Sequence, residues 1–422
     1  MNRSRIIRSI IVVIFMVCCI GMLLVCVKNS LDSVSTFKLS YKVIYIIALL
    51  LAIFFYALLK NKLKLLNCKK SIEYTYRYIY LVMLILITRF VSVWLYKDSS
   101  VTTLIEPSLE QGLGSYIVYF LGKITLYPLY STIIINTVLT FASAIIIKRL
   151  VFNVTTNEML SAIATIIYIF VPQAVINTTN YISYNFNTLF VLTGIYLLLL
   201  IIDEVKQHKL KNKKFLNYTV IMGICILLDI LCGGRFEFWI IILLTSLVIS
   251  NNVGYVRVNS NREFIEKFSN VNTRKLMYKM EAIAINKLLV VSGIILLFIL
   301  LGLGTIHILG QDIFNIYENI NLNSIYTNLV NSVWSSKNYY ITMVLVIFIL
   351  EVLGIILKRK IDTKTSLIKL CSVLVILITL TVGNVTYSAS MLDAFLTLSL
   401  ILNIGNIYYN RDEKIKLLKA EN

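Results

Sequence analysis

The chain has 422 residues, of which 58% are hydrophobic and 14% are charged, and its mean hydropathy is +0.83. Soluble proteins are typically about 25% charged, so this balance excludes a soluble domain. The formal net charge of +19 would favour nucleic-acid binding in a soluble protein. Here the basic residues lie between apolar stretches, which is a topology signal, and no nucleic-acid partner is expected.

Apolar stretches recur from one end of the chain to the other. A bilayer core of about 30 Å needs about 20 apolar residues in a helix, so the pattern predicts an all-α polytopic membrane protein with about twelve helices. The first stretch has no small-residue cleavage site before Lys28, which favours a retained helix over a signal peptide. The predicted helices lie near residues 9–27, 41–59, 76–96, 127–148, 160–172, 185–202, 217–232, 236–250, 288–306, 339–357, 366–383 and 389–409.

The basic residues predict the orientation. If the N-terminus is cytoplasmic and the helices alternate, 32 of the 40 lysine and arginine residues lie in or beside cytoplasmic segments. Cytoplasmic loops of membrane proteins carry such an excess of basic residues. Both termini are therefore predicted to lie on the cytoplasmic side of a bacterial plasma membrane. The outer residues are Lys28, Lys38, Lys42, Lys97, Lys123, Arg235 and Lys337, while Arg89 lies within the third helix.

The predicted organisation has four parts. Residues 1–75 form two N-terminal helices, 76–250 a core with an outer loop at 97–126, 251–287 a basic cytoplasmic loop, and 288–422 the C-terminal helices and a short basic tail. In the core, the helix at 160–172 is short and the hairpin is broken near Gly233. Such spans are tolerated where protein or water satisfies the backbone, which predicts an outer cavity. The alternative is a pair of tilted helices over a thinner bilayer.

The outer loop places carboxylates beside lipid headgroups. It contains Asp98 and Glu106, and its second half, Leu113 to Lys123, has apolar residues at the helical spacing typical of an interfacial helix. A carboxylate can remove the proton from an acceptor hydroxyl. Asp98 is the first choice for this base and Glu106 the second; the alternative is that they are ordinary solvated loop residues.

The broken hairpin carries Arg235 and Glu237. A guanidinium can hold the phosphate of a donor, Glu237 can orient it, and Lys123 is a second phosphate contact. The alternative is an arginine–glutamate pair that only closes the turn.

Placing a charged side chain in the bilayer core costs free energy, so such side chains usually face the protein interior. Arg89 is therefore predicted to be inside the bundle and to bind substrate, with Asp229 as a partner. Glu351 is interpreted as structural and as extending toward the cytoplasm near Lys358. The chain has two histidines and no Walker loop, so no metal site is predicted; no cofactor is assigned and a divalent cation remains open.

Part of this pattern resembles the GT-C superfamily of membrane glycosyltransferases, in particular the bacterial branch of protein mannosyltransferases and aminoarabinose transferases. The resemblance covers roughly residues 78–250. The motifs that carry it are Arg89-Phe90, Asp98, Leu113 to Lys123, Asn136 to Arg149, Ala162 to Pro172, Tyr181 to Tyr184 and Gly223 to Glu237. Phe236 stands where the family has a hairpin proline.

The resemblance implies an enzyme that transfers one sugar, with inversion, from a polyprenyl-phosphate donor to an acceptor on the outer face. The partners would be that donor, membrane lipids and a glycan, lipid or protein acceptor. Two alternatives remain: a polysaccharide polymerase or lipid-linked glycan flippase, which needs a cationic cavity for pyrophosphate, and a non-catalytic membrane assembly protein.

Overall fold

The structure, a computed structural model, describes residues 10, 13–15, 17, 39–65, 70–95, 113–125, 128–171, 184–207, 212–246, 271–308, 337–357, 363–382 and 385–408. Within these ranges the regular elements are helices and no strand occurs, which confirms the all-α prediction. The helices are α1 (Leu39–Leu65), α2 (Lys70–Leu95), α3 (Leu113–Thr125), α4 (Pro128–Thr155), α5 (Glu158–Ile169), α6 (Tyr184–Gln207), α7 (Asn212–Leu231), α8 (Phe236–Ser246), α9 (Val271–Ile308), α10 (Lys337–Ile356), α11 (Thr363–Val382) and α12 (Val385–Tyr408).

Four of the described helices are long and apolar enough to cross a membrane, judged by length and composition. Their apolar segments are Thr132–Thr155 in α4, Asn185–Asp203 in α6, Lys214–Leu231 in α7 and Val290–Ile308 in α9. Large apolar side chains are also exposed on these helices, for example Val138 and Leu300, which are 59% and 60% exposed. A surface of this kind suits lipid better than water.

The short helix α5 begins where the sequence supplies a cap. The side-chain oxygen of Asn157 accepts hydrogen bonds from the backbone N–H groups of Met159 and Leu160, at 2.8 and 3.1 Å. This satisfies donors that a helix start leaves open. The preceding Thr156 has φ of 55°, so α4 reverses into α5 across two residues.

One end of the bundle is held by two sets of polar contacts, and we call it the clamp end. Arg77 Nη1 of α2 lies 2.7 Å from Glu158 Oε2 of α5. Lys364 Nζ of α11 lies 2.6 Å from both Asp203 Oδ2 of α6 and Asn153 Oδ1 of α4. The helix ends that carry these residues are those that the charge pattern predicts to be cytoplasmic.

A second ion pair lies inside the bundle, between α10 and α11. Lys369 Nζ lies 2.5 and 2.7 Å from the two carboxylate oxygens of Glu351, and both side chains are at most 3% exposed. The prediction that Glu351 extends toward the cytoplasm near Lys358 is therefore wrong. Lys369 neutralises it because the next helix places this lysine at the same depth.

The centre of the bundle is formed by α6 and α12, which pack against each other and against α4. Gly194 of α6 lets the indole of Trp239 approach, because a Cβ there would stand 2.5 Å from the ring. The ring of the neighbouring Phe238 meets that of Phe395 on α12 at 6.4 Å. These contacts fix α8 against the core.

Candidate functional site at the hairpin end

The α7–α8 hairpin turns at Cys232–Arg235, and we call the end of the bundle that contains it the hairpin end. Gly233 has φ of +86°, a conformation that favours glycine. The backbone N–H of Gly234 donates to the carbonyl of Asp229 at 2.8 Å. The sequence signal Gly233-Gly234 thus marks a tight turn that a side chain would strain.

Asp229 ties three helices together at this turn. Its carboxylate is fully buried and accepts hydrogen bonds from Asn187 Nδ2 of α6 at 2.9 Å and from Trp239 Nε1 of α8 at 2.8 Å. Asn187 also donates to the Asp229 carbonyl. The partners of this carboxylate are therefore the amide of Asn187 and the indole of Trp239. Arg89 was predicted from the sequence as its partner.

Arg235 follows the turn directly and is 8% exposed. Glu237, two residues later on α8, is half-buried, yet both of its carboxylate oxygens are buried and neither accepts a hydrogen bond from a described residue. The predicted contact in which Glu237 orients Arg235 is absent, and so is the alternative pair that closes the turn. A buried charge without a donor is costly, so this carboxylate is available to a ligand that brings donors.

The amphipathic helix α3 contacts the hairpin. The backbone N–H of Gly114, at the start of α3, lies close enough to the sulfur of Cys232 to interact with it. One side of α3 is buried, with Ser115 and Val118 at most 3% exposed, while Phe120 on the other side is 65% exposed. The segment predicted to be interfacial is therefore a two-faced helix that packs against α4 and begins beside the turn bearing Arg235.

Lys123 lies near the other end of α3. It is exposed, and its ammonium group lies 4.6 Å from the centroid of the Tyr119 ring, one helical turn earlier. A cation over an aromatic face is stabilised by the ring quadrupole. The structure thus places Lys123 on the helix that touches the hairpin, separated from Gly114 by most of the length of α3.

Arg89 is 2% exposed, as predicted for a charge that faces the interior of the bundle. It lies close enough to Tyr168 at the end of α5 to interact with it electrostatically, as do Asp393 of α12 and Ser143 of α4. Arg89 therefore lies in the same polar neighbourhood as Tyr168 and Asp393. Asp393 was missed, although an acid inside an apolar stretch is itself a signal.

A pair of amide side chains joins α4 to the start of α6 near the hairpin end. Asn185 Nδ2 donates to Asn136 Oδ1 at 2.9 Å, and Asn136 is 2% exposed. This contact connects a residue of the family-like segment 136–149 to the start of α6, which carries Asn187.

Asp98 and Glu106, the two residues predicted to be catalytic, lie outside the described residues. In the ranges that the structure does describe, no group of three or more His, Cys, Asp or Glu side chains has the arrangement of a metal site. The described part of the site therefore consists of Arg235, the Glu237 carboxylate, the Asp229 network and α3.

When the chain is compared with protein families, with curated proteins and with solved structures, nothing matches.

Proposed function

We propose that the chain crosses the plasma membrane about twelve times, with both termini in the cytoplasm, as the apolar stretches require. Four described helices suit a bilayer by length and composition. The clamp end supports the predicted alternation, because it gathers the helix ends that carry the cytoplasmic charges. Reporter fusions at Lys64 and Lys211 test the orientation. An external reporter at either position would contradict it.

We further propose that the protein is a GT-C-like glycosyltransferase that takes a sugar from a polyprenyl-phosphate donor on the outer face. The observation that carries this proposal is that Gly114, at the start of α3, lies next to Cys232 in the hairpin turn. It joins the amphipathic helix, which suits the headgroup region, to the turn that holds Arg235. A lipid-linked phosphate sits at that depth.

In the proposed reaction, the oxygen of an acceptor hydroxyl attacks the anomeric carbon of the donor sugar. The bond from that carbon to the phosphate oxygen breaks, and the phosphate leaves with the electron pair. Asp98 takes the hydroxyl proton, with Glu106 as the second choice for this base. Arg235 holds the phosphate through its fork of donors, and Lys123 is a second contact for the same charge.

The remaining polar groups have supporting roles in this proposal. The Glu237 carboxylate accepts hydrogen bonds from sugar hydroxyls, because nothing in the described part of the chain donates to it. Asp229 holds the hairpin in place through Asn187 and Trp239. Arg89 stabilises the buried cluster behind the site.

The test uses membrane vesicles from bacteria that overproduce the chain, supplied with radiolabelled polyprenyl-phosphate hexoses. We expect label to move from the donor into a second product, and Asp98→Asn to slow this by about 10²-fold or more. Arg235→Gln should weaken donor binding. Lys64→Gln, exposed at the clamp end, is the matched control and should transfer at the wild-type rate.

Three results would contradict the transferase. Undiminished transfer by Asp98→Asn removes this residue from the mechanism. Movement of an intact lipid-linked glycan across the bilayer without bond formation identifies a flippase. A non-catalytic assembly protein is favoured if the label stays on the donor for every hexose tested and if deletion of the gene leaves the pattern of cellular glycans unchanged.

A further inference from the structure

A groove runs along one exposed side of α2. Its volume is about 510 Å³, and the described residues of its walls are apolar apart from the hydroxyls of two tyrosines and one threonine. Ile79, Val82, Met83 and Leu86 follow the spacing i, i+3, i+4 and i+7, which places them on one face of the helix. The lining residues are Tyr74, Thr75, Tyr78, Ile79, Val82, Met83 and Leu86.

The length of the groove matches one leaflet of a bilayer. From Tyr74 to Leu86 the helix rises about 18 Å, at about 1.5 Å per residue. The hydrocarbon core of one leaflet is about 15 Å thick, half of the whole core. A single lipid tail would therefore fill the groove from the headgroup level to the bilayer midplane.

The two ends of the groove differ in polarity. Tyr74 and Tyr78 stand at the clamp end, and tyrosine suits the interface between lipid and water. The ammonium group of Lys148 on α4 lies 4.2 Å from the centroid of the Tyr78 ring. Leu86 closes the opposite end, so the groove is polar at its mouth and apolar along its depth.

Lys148 gives this mouth a positive charge. Among the described residues, no carboxylate lies within ion-pairing distance of Lys148. The other nearby cation, Arg77, is paired with both Glu73 and Glu158. Lys148 is therefore the cation at this mouth that has no carboxylate partner among the described residues.

We propose that this groove binds one anionic phospholipid of the leaflet at the clamp end. Its phosphate contacts Lys148 and the hydroxyl of Tyr78, and one acyl chain lies along Ile79, Val82 and Leu86. The proposal rests on the membrane placement argued above and is independent of glycosyl transfer. A polyprenyl phosphate shares the phosphate and the long chain, so the test must separate the two.

The experiment uses the full chain, purified in detergent and freed of lipid, and measures bound lipid by native mass spectrometry. Phosphatidylglycerol and phosphatidylcholine with the same chains are added in turn, followed by an undecaprenyl phosphate competitor. We expect phosphatidylglycerol to bind more tightly. Lys148→Gln should lower the affinity for phosphatidylglycerol by about fivefold and leave that for phosphatidylcholine unchanged. About fivefold is the contribution of one basic residue near an anionic lipid surface.

The matched control is Arg149→Gln, which removes the neighbouring exposed cation of α4 and should leave binding unchanged. Val82→Trp fills the groove and should weaken both phospholipids. Its control, Leu297→Trp, adds the same bulk at an exposed position of α9 and should not.

Three outcomes would overturn the proposal. If Lys148→Gln binds phosphatidylglycerol as tightly as the wild type does, the proposed contact between Lys148 and the headgroup is excluded. Equal losses in Lys148→Gln and Arg149→Gln indicate only a diffuse attraction between charges. Tighter binding of undecaprenyl phosphate than of phosphatidylglycerol assigns the groove to the prenyl lipid. If Val82→Trp does not fold, the comparison of Lys148 with Arg149 still decides the matter.

Discussion

Gly234 lies so close to Asp229 that a Cβ on the glycine would stand 2.5 Å from the carboxylate carbon and from each of its oxygens. The carboxylate cannot easily move away, because Asn187 and Trp239 hold one oxygen each. The closeness of these two residues is what sets the shape of the turn before Arg235.

Gly234→Ala should therefore destabilise the protein by about 1–3 kcal/mol, the usual effect of overpacking a buried site. The free energy of unfolding in detergent, followed by Trp fluorescence, measures this. Gly293→Ala on α9 is the control, since nothing lies within 4 Å of its new Cβ. There we expect a gain of up to about 1 kcal/mol from helix propensity. Equal effects of the two changes would show that Asp229 gives way.

The buried pair of Lys369 and Glu351 predicts a large loss when one partner is removed. Lys369→Met leaves Glu351 buried without its cation, and we expect about 3–5 kcal/mol of lost stability. The double variant Lys369→Met with Glu351→Leu removes both charges and should recover most of that loss. Thermal melting of the three proteins in one detergent compares them. A double variant as unstable as the single one would mean that packing, not charge, dominates.

Glu237→Gln separates a functional carboxylate from a structural one. The change removes a buried charge to which no described residue donates a hydrogen bond, so the melting temperature should stay the same or rise. Donor binding should weaken by about tenfold or more, because a hydrogen bond to a charged group contributes about 1.5–3 kcal/mol. Titration with a polyprenyl-phosphate hexose measures the affinity. Wild-type affinity in this variant would exclude Glu237 from the site.

The clamp end should weaken in acid. Burial alone would raise the pKa of the Glu158 carboxyl, but hydrogen bonds from Arg77 and Tyr74 outweigh it and hold this pKa below its usual value of 4.5. A carboxyl whose pKa is lower in the folded than in the unfolded protein stabilises the fold at a pH above its unfolded-state pKa. This stabilisation is lost as the pH falls through the folded-state pKa. Melting temperature measured from pH 7 down to pH 3 should therefore fall less for Glu158→Gln than for the wild type. Parallel curves would contradict the prediction.

Local pattern was enough to predict most helices. The bounds predicted at 185–202 and 217–232 correspond to α6 and α7, which extend further at their clamp ends. They were predicted too short because the apolar stretch stops at the headgroups while the backbone continues to hydrogen-bond within the helix. The short helix at 160–172 and the amphipathic segment from Leu113 were also found where expected, as α5 and α3.

The partners of the buried polar residues were not predictable in this way. Asp229 was assigned to Arg89 because opposite charges attract, yet Asn187 and Trp239 occupy its carboxylate. Glu351 was assigned to a neighbour in sequence, whereas Lys369 lies opposite it on the next helix. Both errors arose because each pairing depends on how two helices are rotated and shifted against each other.

By itself, the sequence determined the helical class, the positions of the apolar segments and the ends that carry positive charge. These properties follow from the solvent each segment prefers, and a single stretch of chain expresses that preference without its neighbours. Only the tertiary structure decided that α3 contacts the hairpin, that no described residue donates to Glu237 and that Lys148 stands at the mouth of the α2 groove. These relationships require side chains from distant segments to meet, and packing alone decides which of them do.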